Sequence, residues 1–170
     1  MKNIIPIFSA AILLLSSCSQ TTRSTDTDSI KVDSTSLVAT AQPLFATMKI
    51  NENIKTGDSV KLKFTVYNTA DTVQQFCKWH TPFEPLISKY LDITDENGEE
   101  AAYQGAMAKR IMPPPADSYV KVNPGDSLSI DVDVLKGYAI KKPGKYVVSY
   151  NAQNMSGIVV KDSVVFVYGK

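Results

Sequence analysis

Apolar and polar residues alternate with a period of two along two segments of this chain, residues 60–66 and residues 128–134. A period of two is that of a β-strand with one buried and one solvated face. The apolar positions are Val60, Leu62, Phe64 and Val66 in the first segment, and Leu128, Ile130, Val132 and Val134 in the second. We therefore predict two strands that direct these side chains into a common core.

Shorter segments of similar character surround these two and are separated by turn residues. The further strand candidates are residues 44–50, 72–79, 90–94, 101–103, 145–150 and 158–168. Residues 53–58 and 151–157 are predicted turns, Asn97-Gly98 a tight hairpin turn, and Pro124-Gly125 and Pro143-Gly144 type II turns. No long stretch has helical periodicity. The pattern predicts an all-β fold, an immunoglobulin-like antiparallel β-sandwich of about seven to nine strands.

Tyr146 adds a detail to this prediction. It follows the Pro143-Gly144 turn at the start of the next-to-last predicted strand. Immunoglobulin-like sandwiches often carry a tyrosine there, whose hydroxyl hydrogen-bonds to backbone a few residues upstream. We expect Tyr146 to form such a tyrosine corner.

The N-terminus has the pattern of a secretory signal, with Lys2 followed by an apolar run over residues 4–15. The run leads through Ser16 and Ser17 directly into Cys18, as in a bacterial lipobox. A dozen or so apolar residues are too few to span about 30 Å of hydrocarbon. We predict a signal peptide over residues 1–17 and lipidation of Cys18, so that the protein contacts a membrane through its N-terminal lipid.

Residues 18–42 are rich in Ser, Thr and Asp and contain little apolar surface. Such a composition favours a disordered tether, with a mean reach of roughly 25–30 Å. We therefore expect the folded domain to occupy residues 43–170 and to stand off the membrane. Ser19 and Gln20 follow the cysteine without an acidic cluster, which favours the outer membrane of a Gram-negative envelope, facing the periplasm.

Charge and rare residues exclude several function classes. The chain has 18 Lys and Arg against 17 Asp and Glu, so that removal of Lys2 with the signal leaves 17 against 17. No basic face is implied, and nucleic acid is not an expected partner. His80 is the single histidine, which excludes an HExxH zinc site, and no Gly-x-Ser-x-Gly elbow is present. We predict no catalytic residues, no metal and no cofactor. With Cys18 lipidated, Cys77 has no partner and is expected to act as a small buried apolar residue.

Two segments do not have the pattern of plain strands. Residues 78–85 hold the single Trp and the single His between a strand and two prolines, and residues 103–119 contain Lys109-Arg110 and three consecutive prolines. We expect the second segment to pack across one end of the sandwich beside the first. The candidate binding surface consists of Trp79, His80, Phe83, Lys109, Arg110, Met112 and Tyr119.

Three of these residues also have a structural interpretation. Trp79 would pack in the core, His80 would be bonded to backbone in a loop, and Arg110 would bind backbone carbonyls or a carboxylate such as Glu84. The long segment is therefore either a recognition surface or a structural strap, and the sequence leaves both open.

An ordered set of short motifs also runs through the domain. They are Trp-x-Thr-Pro at 79–82, Tyr-x-Gly at 103–105, Lys109-Arg110, Tyr119, Pro-Gly-Asp-Ser at 124–127, Tyr138 and Gly-x-Tyr at 144–146. Roughly residues 44–150 thereby resemble the non-catalytic N-terminal domain of bacterial deuterolysin-type (peptidyl-Lys) metalloendopeptidases. Those peptidases continue into a zinc-binding catalytic domain, which a chain with one histidine cannot supply. The resemblance thus implies the fold without the activity.

The sequence therefore predicts a lipid-anchored cell-envelope module without enzymatic activity, which binds or assists another envelope protein. The resemblance leaves an alternative open, a protease regulator that acts as an inhibitor or as a propeptide-like chaperone of a secreted peptidase. The partner under that alternative would be a peptidase, and its contact would be the segment from Ala106 to Ala116, whose prolines resist cleavage and lower the ordering cost of binding.

The lipobox generates a first prediction. Replacing Cys18 with Ala removes the thiol that would be acylated, so the protein should move from the membrane fraction to the soluble periplasm or accumulate as uncleaved precursor. Fractionation and the mass of the N-terminal peptide measure this. Mature Cys18→Ala protein that still sediments with membranes would contradict lipidation at this residue.

Overall fold

The computed structural model describes residues 43–169, which form nine strands and one short helix. The strands are β1 Phe45–Lys49, β2 Asn53–Lys55, β3 Lys61–Tyr67, β4 Gln74–Cys77, β5 Leu91–Asp95, β6 Tyr119–Val122, β7 Ser127–Asp133, β8 Gly144–Tyr150 and β9 Val164–Gly169. The helix α1 spans Gln153–Ser156, and two 3-10 turns cover Ala116–Ser118 and Val134–Lys136. The predicted all-β sandwich is confirmed.

The strands form three sheets, in the orders β1-β3-β7, β2-β9-β8-β5 and β4-β6. The two segments with the clearest alternation pair with each other, since β3 lies antiparallel to β7 with Phe64 opposite Ile130. Their apolar positions consequently share one face of the first sheet. One pairing departs from the antiparallel prediction, because β2 lies parallel to β9.

The core lies between the sheets and is built around β3. Val60, Leu62, Phe64 and Val66 are all inaccessible to solvent. The Phe64 ring lies 5.5 Å from the Tyr150 ring of β8 and 6.5 Å from Phe83, which joins the second sheet and the segment after β4 to the first sheet. The inward residues of β7, in contrast, are only half-buried, because β7 is the outer strand of its sheet.

Several buried tyrosines belong to the core. The Tyr146 hydroxyl donates to the carbonyl oxygen of Lys142 at 2.8 Å, as predicted for a tyrosine corner. The Tyr138 hydroxyl accepts from the N–H of Leu91 at 3.0 Å, and burial raises the pKa of Tyr138 to about 12. Burial likewise raises the pKa of Tyr90, which has no exposed surface, above its ordinary range.

Several local predictions need correction. Residues 53–58 are not only a turn, because they begin as β2 with Ile54 buried against the core. Residues 101–103 do not form a strand, and only Tyr103 among them forms a bridge, to Tyr138; the preceding Glu100 forms another, to Thr94. The last strand starts at Val164 instead of Ile158. Over the described residues 158–163, the only bridge is the one between Val159 and Phe45.

Two of the three predicted glycine turns have the expected positive φ at glycine. Gly98 and Gly125 have φ values of 80° and 71°, which only glycine adopts without strain. Gly144, in contrast, is the first residue of β8 and is not among the residues with positive φ, so a type II turn at Pro143-Gly144 was the wrong prediction. Cys77 is buried and unpaired, as expected for a small apolar residue. The predictions for residues 1–42 lie outside the described residues.

The pairing of β3 with β7 generates a second prediction. Phe64→Ala removes a ring with no solvent exposure and should lower the free energy of unfolding by about 3–5 kcal/mol. Ile130→Ala should cost less, about 1–2 kcal/mol, because Ile130 is half-buried on the outer strand. Urea denaturation of both variants measures the difference.

Lys63 is the control, because it neighbours Phe64 on the solvated face of β3. Lys63→Ala should change the free energy of unfolding by less than about 0.5 kcal/mol. Equal losses for Phe64→Ala and Lys63→Ala would contradict the register of this sheet.

Candidate functional site

The segment that follows β4 forms a compact turn held by its own side chains. Thr81 Oγ1 donates to the carbonyl oxygen of Lys78 at 2.6 Å and accepts from the N–H of Phe83 at 3.1 Å. Thr81 itself is fully buried. The turn brings Glu84 back beside the end of β4.

Glu84 is the hydrogen-bonding centre of this region. Its Oε1 accepts from the backbone N–H of His80 at 2.8 Å, from Ser88 Oγ at 3.0 Å and from Arg110 Nη2 at 2.6 Å. Its Oε2 also accepts from Arg110 Nη2, at 2.7 Å. The Glu84 side chain is 4% exposed, and the Arg110 side chain is 17% exposed. A buried carboxylate is stable only when it is paired and hydrogen-bonded, and Glu84 meets both conditions.

Arg110 also packs on an aromatic face. Its guanidinium carbon lies 4.7 Å from the centroid of the Trp79 ring, a cation–π distance. Trp79 is itself buried. We call the set Trp79, His80, Glu84, Ser88 and Arg110 the Glu84 clamp. It ties the long segment at residues 103–119 to the segment after β4, as predicted for these two stretches.

His80 takes part in the clamp mainly through its backbone. Its φ of 56° lies in the left-handed region, which a non-glycine residue occupies only when its surroundings hold it there. Glu84 accepts its N–H, and its carbonyl oxygen accepts from the Tyr150 hydroxyl at 3.1 Å. The His80 ring Nδ1 lies 3.3 Å from the carbonyl oxygen of Lys89. Burial raises the pKa of Tyr150, which keeps its hydroxyl protonated as a donor.

Further backbone bonds hold the long segment at its start. The N–H of Gln104 donates to Gly137 at 2.7 Å, and the N–H of Ala108 donates to Ile87 at 2.8 Å. The Tyr103 hydroxyl donates to the carbonyl oxygen of Ala106 at 2.9 Å. At the other end Pro115 is extended, with φ −65° and ψ 159°, before the 3-10 turn that leads into β6.

The outer side of the same segment is apolar and exposed. Met107, Ile111 and Met112 expose 69%, 80% and 63% of their surfaces, and Lys109 lies exposed among them. We call Met107, Lys109, Ile111 and Met112 the loop crest. The crest therefore projects from a backbone that the Glu84 clamp holds in place.

The candidate binding surface is thus divided between two environments. Trp79 is buried, Phe83 packs against Phe76 with ring centroids 5.1 Å apart, and Arg110 bonds to Glu84, so these side chains turn inward. Lys109, Met112 and Tyr119 lie on the surface, and His80 is half-buried. Of the two adjacent cations only Lys109 is exposed, because the Arg110 guanidinium bonds to Glu84. The sequence pattern did not single out Met107 and Ile111, which are as exposed as Met112.

The described residues show no metal-binding cluster around the clamp. Within residues 43–169, no group of three or more His, Cys, Asp or Glu side chains is placed to hold a metal ion. No helix in this part of the chain is long and apolar enough to cross a membrane. What the arrangement offers chemically is an ordered surface loop with apolar side chains and one cation.

Comparison with known proteins agrees with this architecture. A family model of immunoglobulin-like domains matches residues 47–156, and the chain belongs to that family. The match takes in β2 to β8 and both segments of the Glu84 clamp. No curated protein sequence matches this chain.

Solved structures with a similar course of the chain are remote in sequence. The Pseudomonas fluorescens alkylpurine DNA glycosylase AlkC, bound to DNA, is 14% identical over 75% of this chain and 31% of its own, with a TM-score of 0.41. A β-glucosidase from Listeria innocua is 11% identical over 75% of this chain and 16% of its own, with a TM-score of 0.38. The sulfur carrier protein SoxY from Chlorobium limicola is 13% identical over 78% and 82%, with a TM-score of 0.28. This chain thus spans less than a third of the length of the first two proteins.

The clamp generates a third prediction. Arg110→Ala leaves the Glu84 carboxylate buried without its cation and should lower the free energy of unfolding by about 3–5 kcal/mol, a large part of the roughly 5–15 kcal/mol expected in total. Lys109→Ala is the matched control, because it removes the neighbouring but exposed cation, and should cost less than about 0.5 kcal/mol. Urea denaturation of both variants measures this.

A double-mutant cycle with Glu84→Gln separates the ion pair from other effects of Arg110. Once Glu84 is neutral, Arg110→Ala should cost markedly less than in the unaltered chain. Additive losses would contradict the Glu84–Arg110 pair as the interaction that holds the segment.

Proposed function

We propose that this protein is a lipid-anchored accessory module of the cell envelope that binds another envelope protein through the loop crest. Immunoglobulin-like domains commonly serve as binding or accessory modules, and function must be argued from the site and not from the fold alone. The observation that carries the proposal is the contrast within residues 103–119. The backbone is tied down by the Glu84 clamp, while apolar side chains of the crest face solvent.

This contrast favours recognition for an energetic reason. Exposed apolar side chains that lie close together on a surface mark interaction sites more often than isolated ones do. A loop that is already ordered loses little conformational entropy when a partner binds, so more of the contact energy appears as affinity. Met side chains adapt to irregular partner surfaces, and a single cation beside them favours a partner with an acidic or carbonyl-rich rim.

The N-terminal lipid is the second part of the proposal and is supported by the lipobox at Cys18. An anchor at residue 18 and a domain that starts at residue 43 would leave the crest free to meet partners on the same membrane. We place the protein at the outer membrane, facing the periplasm. No enzymatic activity is part of the proposal.

A protease regulator is the second candidate. Its support is the exposed proline-flanked crest on an ordered backbone, together with the resemblance of the sequence motifs to the non-catalytic domain of deuterolysin-type metalloendopeptidases. Under this candidate the crest would contact a secreted peptidase. Capture of a peptidase whose activity falls on addition of this protein would favour it over a general accessory role.

Substitution at the crest provides the fourth prediction. Ile111→Glu with Met112→Glu places two charges on the exposed crest and should reduce capture of the envelope partner at least about tenfold, because a few central apolar contacts carry most binding energy. The thermal midpoint should change by less than about 3 °C, since both side chains face solvent. Quantitative cross-linking in intact cells, followed by affinity purification, measures the capture.

Val73→Glu is the matched control. Val73 is 53% exposed and lies before β4, outside the crest. It should leave capture unchanged. Equal capture by the crest variant and the control would contradict the crest as the binding surface, and a large fall in the thermal midpoint of the crest variant would assign the segment to structure alone.

A further inference from the structure

The outer strand β7 presents an open edge. It pairs with β3 on one side, and no strand of the described part of the chain pairs with its other side. β6 precedes β7 by a short turn but pairs with β4 instead. The edge extends over Ser127–Asp133, a longer strand than β1 or β2 at the outer positions of their sheets.

The phase of the hydrogen bonds shows which backbone groups face outward. The N–H of Val134 donates to Val60 at 2.9 Å, and the N–H of Asn68 donates to Asp126 at 3.0 Å, at the two ends of the β3–β7 ladder. In an antiparallel ladder, bonded pairs recur at every second residue. The backbone groups of the even-numbered residues of β7 therefore face β3. Those of Ser129 and Asp131 face outward, and no described residue hydrogen-bonds to them.

The inward side chains of β7 are also incompletely covered. Leu128, Ile130 and Val132 point to the core but remain half-buried. Protein edges usually carry charged side chains, most often lysine, or a proline, a bulge or an inward-pointing charge, which discourage further strands. The charges of β7 are confined to Asp131 and Asp133 in its C-terminal half, it contains no Lys and no Pro, its inward positions are all apolar, and its register with β3 runs without interruption.

We propose that β7 pairs antiparallel with β7 of a second copy of this chain, about a two-fold axis at Ile130. In this register Ser129 lies opposite Asp131 of the second copy, and Ser127 lies opposite Asp133. The outward backbone groups then pair with one another. Leu128 lies opposite Val132 of the second copy, so that the half-buried apolar row continues across the axis and each copy covers the other's open side.

The charge pattern of β7 selects this partner and register. Both carboxylates of the strand, Asp131 and Asp133, lie in its C-terminal half, and its N-terminal half carries Ser127 and Ser129 on the same face. Antiparallel pairing about Ile130 therefore places each carboxylate opposite a hydroxyl. A two-fold axis at Asp131 would instead place two carboxylates opposite each other, which is destabilising. A two-fold axis at Ser129 would also keep the carboxylates apart, but it would leave Val132 and Asp133 beyond the end of the opposite strand. The axis at Ile130 is the register that pairs all seven residues of β7.

Pairing of single strands buries less surface than a standard protein interface, so the dimer should be weak and dependent on concentration. This inference concerns the β7 edge and does not rest on the loop crest. The crest variants described above can therefore fail while the dimer forms, and the reverse also holds.

Charge substitution at Ser129 tests the register. Ser129→Asp would face Asp131 of the second copy twice in each dimer and should raise the dimer dissociation constant about two- to twentyfold. Ser129→Lys would face the same carboxylate and should lower the constant. Sedimentation of the full chain in mild detergent, over a range of protein concentrations, measures both.

Thr47→Asp is the matched control. Thr47 pairs with Thr65, which pairs with Ser129, so the control places the same charge in the same row of the sheet on the opposite edge. It should leave dimerisation unchanged. Only monomers at every concentration, an equal effect of Thr47→Asp, or the same direction of effect for Ser129→Asp and Ser129→Lys would overturn the proposal.

Disulfide formation gives a second readout that does not depend on affinity. Opposite residues that do not exchange backbone hydrogen bonds come closest, and Ile130 lies opposite itself in the proposed dimer. Ile130→Cys should give covalent dimers under oxidation, and Asp131→Cys should give far fewer. The opposite order would overturn the register, and absence of covalent dimers from both variants would overturn pairing of this edge.

Discussion

The Glu84 carboxylate lies in the turn that follows β4, almost completely removed from solvent, and the surrounding chain has to compensate its charge. Arg110 supplies the cation, and the N–H of His80 and the Ser88 hydroxyl supply neutral donors. His80 and Ser88 each lie four residues from Glu84 in the sequence, and Arg110 lies 26 residues further along the chain. Their bonds to one carboxylate fix the turn after β4 and the long segment at residues 103–119 in a single arrangement, since loss of the Arg110 contact would leave the charge buried and unpaired.

This requirement explains why the long segment is ordered and yet exposed. Arg110 is drawn inward to Glu84 and to the face of Trp79, and its neighbours in sequence then point away from the domain. Ile111 and Met112 are exposed for this reason, although they are apolar. A strap that served only to close the sandwich would gain stability by burying such side chains, about 1.5–3 kcal/mol for each. Their exposure beside a buried ion pair therefore favours a role in binding.

Much of the fold could be predicted because alternation reports directly on burial. The faces of β3 and β7 followed from a period of two, and the pairing of Glu84 with Arg110 was foreseen as one of several partners for Arg110. The remaining features depend on neighbours that are distant in sequence. Ile130 lies in the same alternating pattern as Phe64 but is half-buried, because β7 is an outer strand. Only the sheet order shows this position of β7. β2 was missed since three residues are too few to show a period.

The candidate surface was harder to predict for a related reason. Composition identified residues 78–85 and 103–119 as unusual, but it could not show which side chains would turn inward. Trp79 and Arg110 were chosen as candidate binding residues for their aromatic ring and their cation. The same two groups form a cation–π contact inside the domain. Ile111 would be assigned to the core on hydrophobicity alone, and its exposure follows only from the position of Arg110 beside it. Residues with strong chemical signatures can thus serve to hold a surface, while the plain apolar residues next to them form it.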